Sequence, residues 1–247
     1  MEHIIQHKPD KKVIRYSIPK YDVNIIIKIG HVSTIEDEYK AFVQLNKYRK
    51  ISLFLPFIIN YTKIKENHIL SEEYVKYSVE DIARLLQDDV PKLNQFWYIL
   101  FYQLAFFAYQ LEKRKIKHND FFLSNLRIKK DIKYKYLIKV IDLETAVDYK
   151  HKSLYPDQVL KASDEENERM GWSREFHIGS DLNQMLGDIF DQFIHLIPHR
   201  LIHNIKPLII QKEKEFPFAV VENEKTSGKN ILNIIKKIIK EHEIKLR

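Results

Sequence analysis

Several features are missing from this chain of 247 residues, and each absence excludes a class of protein or site. There is no cysteine, which excludes disulfides, thiolate nucleophiles and cysteine-based zinc sites. No apolar run reaches the roughly 18 residues of a membrane-spanning helix, and the N-terminus has no signal-peptide core. We therefore expect no membrane span and a reducing, cytoplasmic location.

The chain does contain a surplus of basic residues, with 41 lysines and arginines against 34 acidic residues and a net charge of +7. The lysines are interspersed with acids, and neither an arginine-rich tract nor an aromatic RNA-binding motif is present, so no specific nucleic-acid partner is expected. A basic surface of this kind attracts phosphates or acidic partners. The length suffices for one large domain or two lobes.

The most informative stretch covers residues 116–149, in which two polar clusters stand between apolar runs. The first cluster contains His118, Asp120 and Asn125, and the second contains Asp142. Two short apolar stretches with a turn-prone segment between them predict a β-hairpin that joins the clusters. The strands are expected at residues 125–128 and 136–140. This hairpin would bring Asp120, Asn125 and Asp142 to one end.

An aspartate, an asparagine five residues later and a second aspartate after a hydrophobic strand resemble two loops of the protein kinase superfamily, H-R-D-x-x-x-x-N and D-F-G. The resemblance implies an ATP-dependent phosphotransferase that acts on serine or threonine residues of a protein. Asn125 and Asp142 would hold Mg²⁺, which prefers oxygen ligands. Asp120 would orient the acceptor hydroxyl and accept its proton. Compact, divergent kinases of this type occur in large DNA viruses, which would place the protein in the host cytoplasm or the virion.

The N-terminal residues extend this resemblance. Their pattern predicts two strands and then an amphipathic helix, at residues 13–18, 23–29 and 34–48. The second strand ends in Ile-Ile-Ile-Lys, similar to the V-A-I-K strand of kinases, so Lys28 would bind the α- and β-phosphates of ATP. Its acidic partner on the helix would be Glu38, with Glu36 as the alternative.

Residues 56–75 predict two more strands around a turn at Glu66 and Asn67. By the same resemblance, backbone groups from Glu73 to Val75 would contact the adenine edge of ATP. Glu72 would then occupy the gatekeeper position, which is an unusual place for a carboxylate.

The implied fold is α+β, a single kinase-like domain with two lobes. A small β-rich N-lobe with one C-helix would cover residues 1–75, and a mainly helical C-lobe would cover residues 76–247. Helical periodicity recurs in the second part, at residues 78–87, 92–115, 180–193, 200–211 and 229–244. Asp181 would tie down the backbone of the catalytic loop, and His118 would be structural. The polar residues 150–175 predict an irregular segment.

Three departures from the kinase pattern favour a pseudokinase, a binding module without efficient chemistry. No glycine occurs among residues 1–22, where kinases carry a glycine-rich loop, and a basic segment at 7–12 stands in its place. Phe122 replaces a lysine that contacts the γ-phosphate, and Leu143-Glu144 replaces the Phe-Gly of D-F-G. The retained lysine, aspartates and asparagine oppose this alternative.

A second alternative is a small-molecule kinase. The sequence H-N-D-x-x-x-x-N followed by I-D-L-E is similar to the H-N-D or H-G-D and I-D-F-E motifs of choline and aminoglycoside kinases. Those enzymes tend to be longer, and the 39 positions from Asp142 to Asp181 suit a protein-kinase activation segment better. Without any functional role, the same residues would form the capped turns of an ordinary hairpin, since Asn and Asp favour turns.

Overall fold

An antiparallel five-stranded sheet forms the first part of the fold, with strand order β1-β2-β3-β5-β4. The computed structural model describes residues 2–7, 11–21, 23–30, 33–131, 135–170, 172–210 and 222–244. Within them the protein is a mixed α/β chain. The strands of the sheet are β1 (Glu2–His7), β2 (Lys11–Ile18), β3 (Val23–Gly30), β4 (Ile58–Ile64) and β5 (Asn67–Glu73). The strands predicted around residues 13–18, 23–29 and 56–75 are thereby confirmed.

One face of this sheet is covered, and Lys28 lies on it. Strand β3 is central and pairs with β2 and β5, with Val13 and Leu70 directly opposite Lys28. Residues two apart on a strand share a face, so Lys11, which pairs with Gly30, lies on the same face as Val13. Two lysines of neighbouring strands therefore share the covered face.

Helix α1 (Ser33–Asn46) packs on β3 and β5. Its buried positions follow helical spacing and are apolar except for one: Ile35, Glu38, Ala41, Phe42 and Leu45. The apolar members anchor the helix, and Glu38 is thereby carried into the interior. A short helix, α2 (Arg49–Ser52), follows.

The longest helix of the described chain, α4 (Val90–Glu112), lies in the core. Its own apolar residues lie on all sides, and 14 of its 23 residues are buried. This is the pattern of a helix that is packed on several sides. It contacts α7, α9 and the hairpin strand β8. Helices α3 (Val79–Leu86) and α4 begin after the side-chain caps Ser78 and Asp89. Later in the chain lie helices α7 (Ser180–Phe193), α8 (His199–Ile205) and α9 (Gly228–Glu241).

Two small β-ladders bring the polar clusters together. The predicted hairpin is confirmed as β7 (Leu126–Asp131) paired with β8 (Lys135–Val140), and β6 (Ile116–Lys117) pairs with β9 (Val147–Asp148). The first polar cluster lies between β6 and β7, and the second lies between β8 and β9. Each cluster is therefore enclosed by the same two ladders.

The prediction of an irregular segment at residues 150–175 is wrong in part, because two short helices form there. They are α5 (Asp157–Lys161) and α6 (Asp164–Met170). The Ser163 hydroxyl accepts the Glu166 backbone N–H at 3.0 Å, and such a cap offsets the low apolar content. Across the described residues, no helix combines the length and apolar character needed to cross a membrane.

Candidate active site

A buried ion pair links the sheet to helix α1. Lys28 Nζ lies 2.5 Å from Glu38 Oε1, and the side chains are 7% and 0% exposed. Burial alone would lower the pKa of Lys28, but the charges of Glu38, Glu72 and Asp142 outweigh it and hold that pKa well above its ordinary value. Lys28 is therefore a permanent cation here. The alternative partner, Glu36, instead pairs with Lys40 at 2.9 Å.

Glu72 is a second partner of Lys28. Its Oε1 lies 3.2 Å from Lys28 Nζ, and its side chain is 3% exposed. Burial raises the pKa of Glu72 to about 7, with the charge of Lys28 opposing the rise and that of Glu38 adding to it. A single lysine thus pairs with two carboxylates, and the pKa of one of them, Glu72, lies near physiological pH.

Lys11 enters the same region from β2. Its Nζ lies 2.6 Å from Glu144 Oε2 and 3.7 Å from Asp142 Oδ1, and its side chain is 9% exposed. Burial lowers the pKa of Lys11, but the charges of Asp142, Glu38 and Glu144 raise it by more, so the net shift is upward. For Glu144, burial raises the pKa, and the neighbouring charge of Asp142 adds to the rise.

Three of these carboxylates could together hold a metal ion. One oxygen each from Glu38, Asp142 and Glu144 lies within 4.8 Å of the others. Among the described residues, Glu38 Oε2 is buried and has no hydrogen-bond partner. Counting Glu72, four carboxylates face the two ammonium groups of Lys11 and Lys28. An excess of negative charge of this kind suits a hard divalent cation, which binds oxygen ligands.

Asp120 and Asn125 are held together in the first polar cluster. The Asn125 side-chain amide donates to Asp120 Oδ2 at 2.7 Å and to the Asp120 carbonyl at 2.9 Å. Burial raises the pKa of Asp120, and the hydrogen bond from Asn125 opposes the rise. The Asn125 carbonyl accepts the Ile141 backbone N–H at 3.0 Å. Asn125 is therefore bonded to the residue that precedes Asp142.

His118 has the structural role that the sequence predicted. Its Nδ1 accepts the Asp120 backbone N–H at 3.3 Å, and its Nε2 lies 3.3 Å from the Ile141 carbonyl. A backbone N–H can only donate and a carbonyl can only accept, so Nε2 carries the proton of the neutral ring. The imidazole thus connects the two polar clusters.

Asp181, at the start of α7, anchors the first cluster. Its Oδ2 accepts the His118 backbone N–H at 2.6 Å, and its Oδ1 accepts the Asn119 N–H at 3.3 Å. The expected tie between Asp181 and this loop is confirmed. Asn119 adds a second tie, because its amide donates to the Thr145 carbonyl at 3.1 Å. The Thr145 hydroxyl in turn donates to the His118 carbonyl at 2.9 Å.

Two residues of the clusters have left-handed backbone conformation, Asn119 with φ of 65° and Asp142 with φ of 61°. Asn and Asp tolerate this region better than most residues do. Such conformations persist where surrounding contacts over-determine them, as the hydrogen bonds of Asn119 do. The positions of both turns are therefore constrained by the tertiary structure.

The expected adenine contacts lie at the end of β5, beside this cluster of charges. The Glu73 backbone N–H donates to the Phe57 carbonyl at 2.8 Å, and its side chain pairs with Lys129. Val75 is 7% exposed and lies between β5 and α3. The structure brings Lys28, Glu38 and Asp142 into one cluster, whereas Glu73 contacts Phe57, just before β4, and Lys129 of β7.

Sequence reasoning left three members of the cluster without a role: Lys11, Glu72 and Glu144. Lys11 was only part of a basic turn, Glu72 was an unusual gatekeeper and Glu144 was a departure from a motif. A signal existed for two of them. Lys11 stands two residues before the buried Val13, and Glu72 stands two residues after the buried Leu70, so strand alternation places each on the covered face.

A comparison of the sequence with protein-family models finds no match, and neither does a comparison with curated proteins. The residues and contacts described above are therefore the basis for assigning a function.

Proposed function

We propose that this protein is an ATP-dependent phosphotransferase with a two-lobed, protein-kinase-like fold, and that it transfers the γ-phosphoryl group to a serine or threonine of a protein. The observation that carries the proposal is the buried Lys28–Glu38 pair, which lies within electrostatic reach of Asp142. A charged lysine held against a helix glutamate, beside a carboxylate at the end of a hairpin, is the arrangement that orients ATP phosphates in kinases.

Lys28 would bind and orient the phosphates of ATP. Its pKa is raised, so it carries a full charge at every physiological pH. The interaction of that charge with phosphate is strengthened by the poor access of water. Glu38 positions the ammonium group, and the anchoring of α1 by its apolar positions keeps Glu38 in place.

Asp120 would orient the acceptor hydroxyl and accept its proton. Burial raises the pKa of this carboxyl, which brings it closer to the range in which a base accepts a proton effectively. Asn125 holds one of its oxygens at 2.7 Å, and Asp181 holds the backbone before it. Orientation by such contacts is the main contribution of the protein to phosphoryl transfer.

Asn125 and Asp142 would hold Mg²⁺, with Glu144 and the free oxygen of Glu38 as nearby oxygen donors. The donor set fits, since it consists of hard oxygens around an excess of negative charge. When bound, the ion supplies neutralisation of the charge that the phosphates bring into the site. The partners that we propose are thus ATP and a protein, in a reducing cytoplasm, since the chain contains no cysteine.

The test combines binding and transfer. ATP with Mg²⁺ is expected to raise the melting temperature, because a ligand of the native state stabilises it by mass action. Asp142→Asn is expected to lose the Mg²⁺-dependent part of the shift. Asp120→Asn should keep the shift but lose at least roughly a hundredfold in phosphate transfer. Asp191→Asn, at an exposed position of α7, serves as the matched control.

Transfer is measured with radiolabelled ATP on serine and threonine peptides and, in parallel, on choline and aminoglycosides. Labelled peptides support the proposal, and labelled small alcohols alone would replace it with a small-molecule kinase. Binding of ATP without any transfer would indicate a pseudokinase. Unchanged transfer by Asp120→Asn would refute the assigned mechanism.

A further inference from the structure

Lys11 is a buried cation on the covered face of the sheet. It is 8% exposed, and its ammonium group lies between Glu144 and Asp142 at 2.6 and 3.7 Å. A buried ion pair is weak support for stability, because apolar side chains of similar volume often serve as well. Its neighbour Lys12, on the opposite face of the sheet, is less deeply buried.

The position of Lys11 is next to that of the proposed phosphate-binding lysine. Lys11 lies two residues from Val13, the cross-strand partner of Lys28, which is a separation of about 7 Å along a strand. Asp142 acts on both ammonium groups. The partner of Lys11 across the strands is Gly30, which has no side chain to fill the space beside it. Two cations on the covered face of the sheet thus interact electrostatically with one carboxylate.

The sequence before Lys11 is poorly suited to binding phosphate through backbone N–H groups. Close approach of a backbone to phosphate depends on glycine, and no glycine occurs among residues 1–22. Pro9 also lacks a backbone N–H that could donate. Positive charge for the terminal phosphates must then come from a side chain, and Lys11 is the buried lysine that β2 supplies.

We propose that Lys11 is a second phosphate-binding lysine, which contacts the terminal phosphates of a nucleoside triphosphate in place of a glycine-rich loop. Glu144 holds its ammonium group in position when no nucleotide is bound. This inference rests on the proposed function, since it assigns a further binding residue to the same nucleotide site. It makes the triphosphate, rather than the nucleoside, the part of the ligand that Lys11 recognises.

The first experiment compares ATP and AMP, each with Mg²⁺, on the full chain by calorimetry. Lys11→Met and Lys11→Gln are expected to weaken ATP binding roughly tenfold or more, the loss typical of a hydrogen bond to a charged group. AMP binding should stay within about twofold of the wild type, since AMP lacks the terminal phosphates. Lys12→Met, the neighbouring lysine on the opposite sheet face, should bind both nucleotides as the wild type does.

The second experiment uses the wild-type protein, so that it does not depend on the folding of a variant. An acyl-phosphate derivative of ATP transfers its acyl group to a nearby lysine: the amine attacks the carbonyl carbon, an amide forms and the nucleotide phosphate leaves. Mass spectrometry should find the label on Lys11, with or without label on Lys28, and excess ATP should prevent it.

The outcomes separate this inference from the proposed function. If the wild type binds ATP and Lys28→Met does not, wild-type affinity in Lys11→Met overturns the inference and leaves the function intact. Tighter binding by Lys11→Met would also overturn it, by showing that Lys11 blocks the site. Label on Lys28 without label on Lys11 would count against it in the same way. Absence of any ATP binding by the wild type refutes the proposed function, and the inference with it.

Discussion

Charged side chains from five separate parts of the chain share a volume that water reaches poorly, and their protonation depends on one another. Lys28 is kept charged by Glu38 and Glu72, while burial, with the charge of Glu38 adding to it, raises the pKa of Glu72 to about 7. Burial and like charges act in the same direction on these carboxylates. At the residue level, therefore, the charge of each member of an ion pair depends on the other charged groups of the cluster.

Substitution of Lys28 or of its helix partner should destabilise the protein unequally. Lys28→Met leaves Glu38 and Glu72 without their cation, and we expect a loss of about 3–5 kcal/mol at pH 7. Glu38→Gln should cost less, because Glu72 remains as a partner. Glu36→Gln, at a surface pair in which Glu36 is 32% and Lys40 54% exposed, is the control and should stay within about 0.5 kcal/mol. Urea unfolding measures all three, and an equal loss for Glu36→Gln and Glu38→Gln would contradict the pairing.

Glu112, at the end of α4, should make stability depend on pH. Its carboxylate accepts the backbone N–H groups of Gly179 and Gly228 at 3.1 and 2.9 Å. Burial nevertheless raises its pKa to about 7, against the lowering effect of those hydrogen bonds. The folded protein then binds more protons than the unfolded chain between pH 4.5 and 7, the ordinary and the raised pKa. The free energy of unfolding must therefore fall as pH rises through this window.

The measurement is urea unfolding of the wild type and Glu112→Gln at pH 5, 6 and 7. Because Glu72 has a similarly raised pKa, the wild-type slope contains both contributions, and the difference between the two proteins isolates Glu112. We expect that difference to be on the order of 2 kcal/mol across the window, discounted for partial solvent access. Parallel slopes would show that Glu112 has an ordinary pKa in the folded protein.

At the level of elements, the contact between α4 and α9 depends on a glycine. A Cβ placed on Gly228 would lie 2.2 Å from the backbone N of Tyr109 and 2.8 Å from the carbonyl of Ala105. Backbone atoms cannot move aside as a flexible side chain can. The first residue of α9 is therefore in direct contact with the backbone of α4, and Glu112 caps the same point.

Alanine should have opposite effects at two helical glycines. Gly228→Ala forces α9 away from α4, and we expect a loss of at least about 2 kcal/mol. Gly187→Ala, inside α7, would meet its nearest neighbour, Ile209 Cγ2, at an ordinary 3.9 Å. Since alanine favours a helix over glycine by about 1 kcal/mol, this control should be stabilised. Melting temperatures read out both variants, and a harmless Gly228→Ala would show that the two helices lie further apart.

At the level of the whole molecule, one lysine fastens the hairpin to the segment that leads into β4. Lys139 Nζ donates to the Leu53 and Leu55 carbonyls at 2.9 and 2.8 Å. Between these bonds, the Val140 backbone N–H donates to the Phe54 carbonyl at 2.8 Å. The buried apolar side chains form one cluster that includes α1, α4, the hairpin and α9. The sheet region and the helical region thus have a shared core and a polar tie.

Removal of this tie should destabilise the protein as a unit. Lys139→Met leaves two carbonyls without their donor, which typically costs about 1–3 kcal/mol each where they stay buried. Lys130→Met, an exposed lysine of the same hairpin that lies 5.1 Å from the Tyr77 ring centre, should change stability by less than about 0.5 kcal/mol. A lower urea midpoint with an unchanged m-value is expected. Two separate transitions would instead show that the regions unfold independently.

Much of the architecture follows from local patterns. Alternation predicts β2, β3 and the hairpin, and helical spacing predicts α1, α3, α4, α7 and α9, because each element must bury its own apolar side. Helices α5 and α6 are not predicted in this way, because most of their residues are polar. The Ser163 side chain instead stabilises the start of α6 as a cap. The polar clusters at Asp120 and Asp142 are also evident, because turn residues interrupt apolar runs.

The chemistry of the candidate site depends on contacts that no local pattern contains. Lys11 and Glu144 are 133 residues apart in the chain yet 2.6 Å apart in space. The sequence favoured Glu38 over Glu36 as the partner of Lys28, and the rotation of α1, which the packing of Ile35 and Phe42 sets, places Glu38 against Lys28. Residue order and periodicity thus specify the helices and strands, and the strand ends at which polar residues lie. Strand register and helix packing specify which charges meet, because ion pairs between distant elements form only once the core has placed those elements.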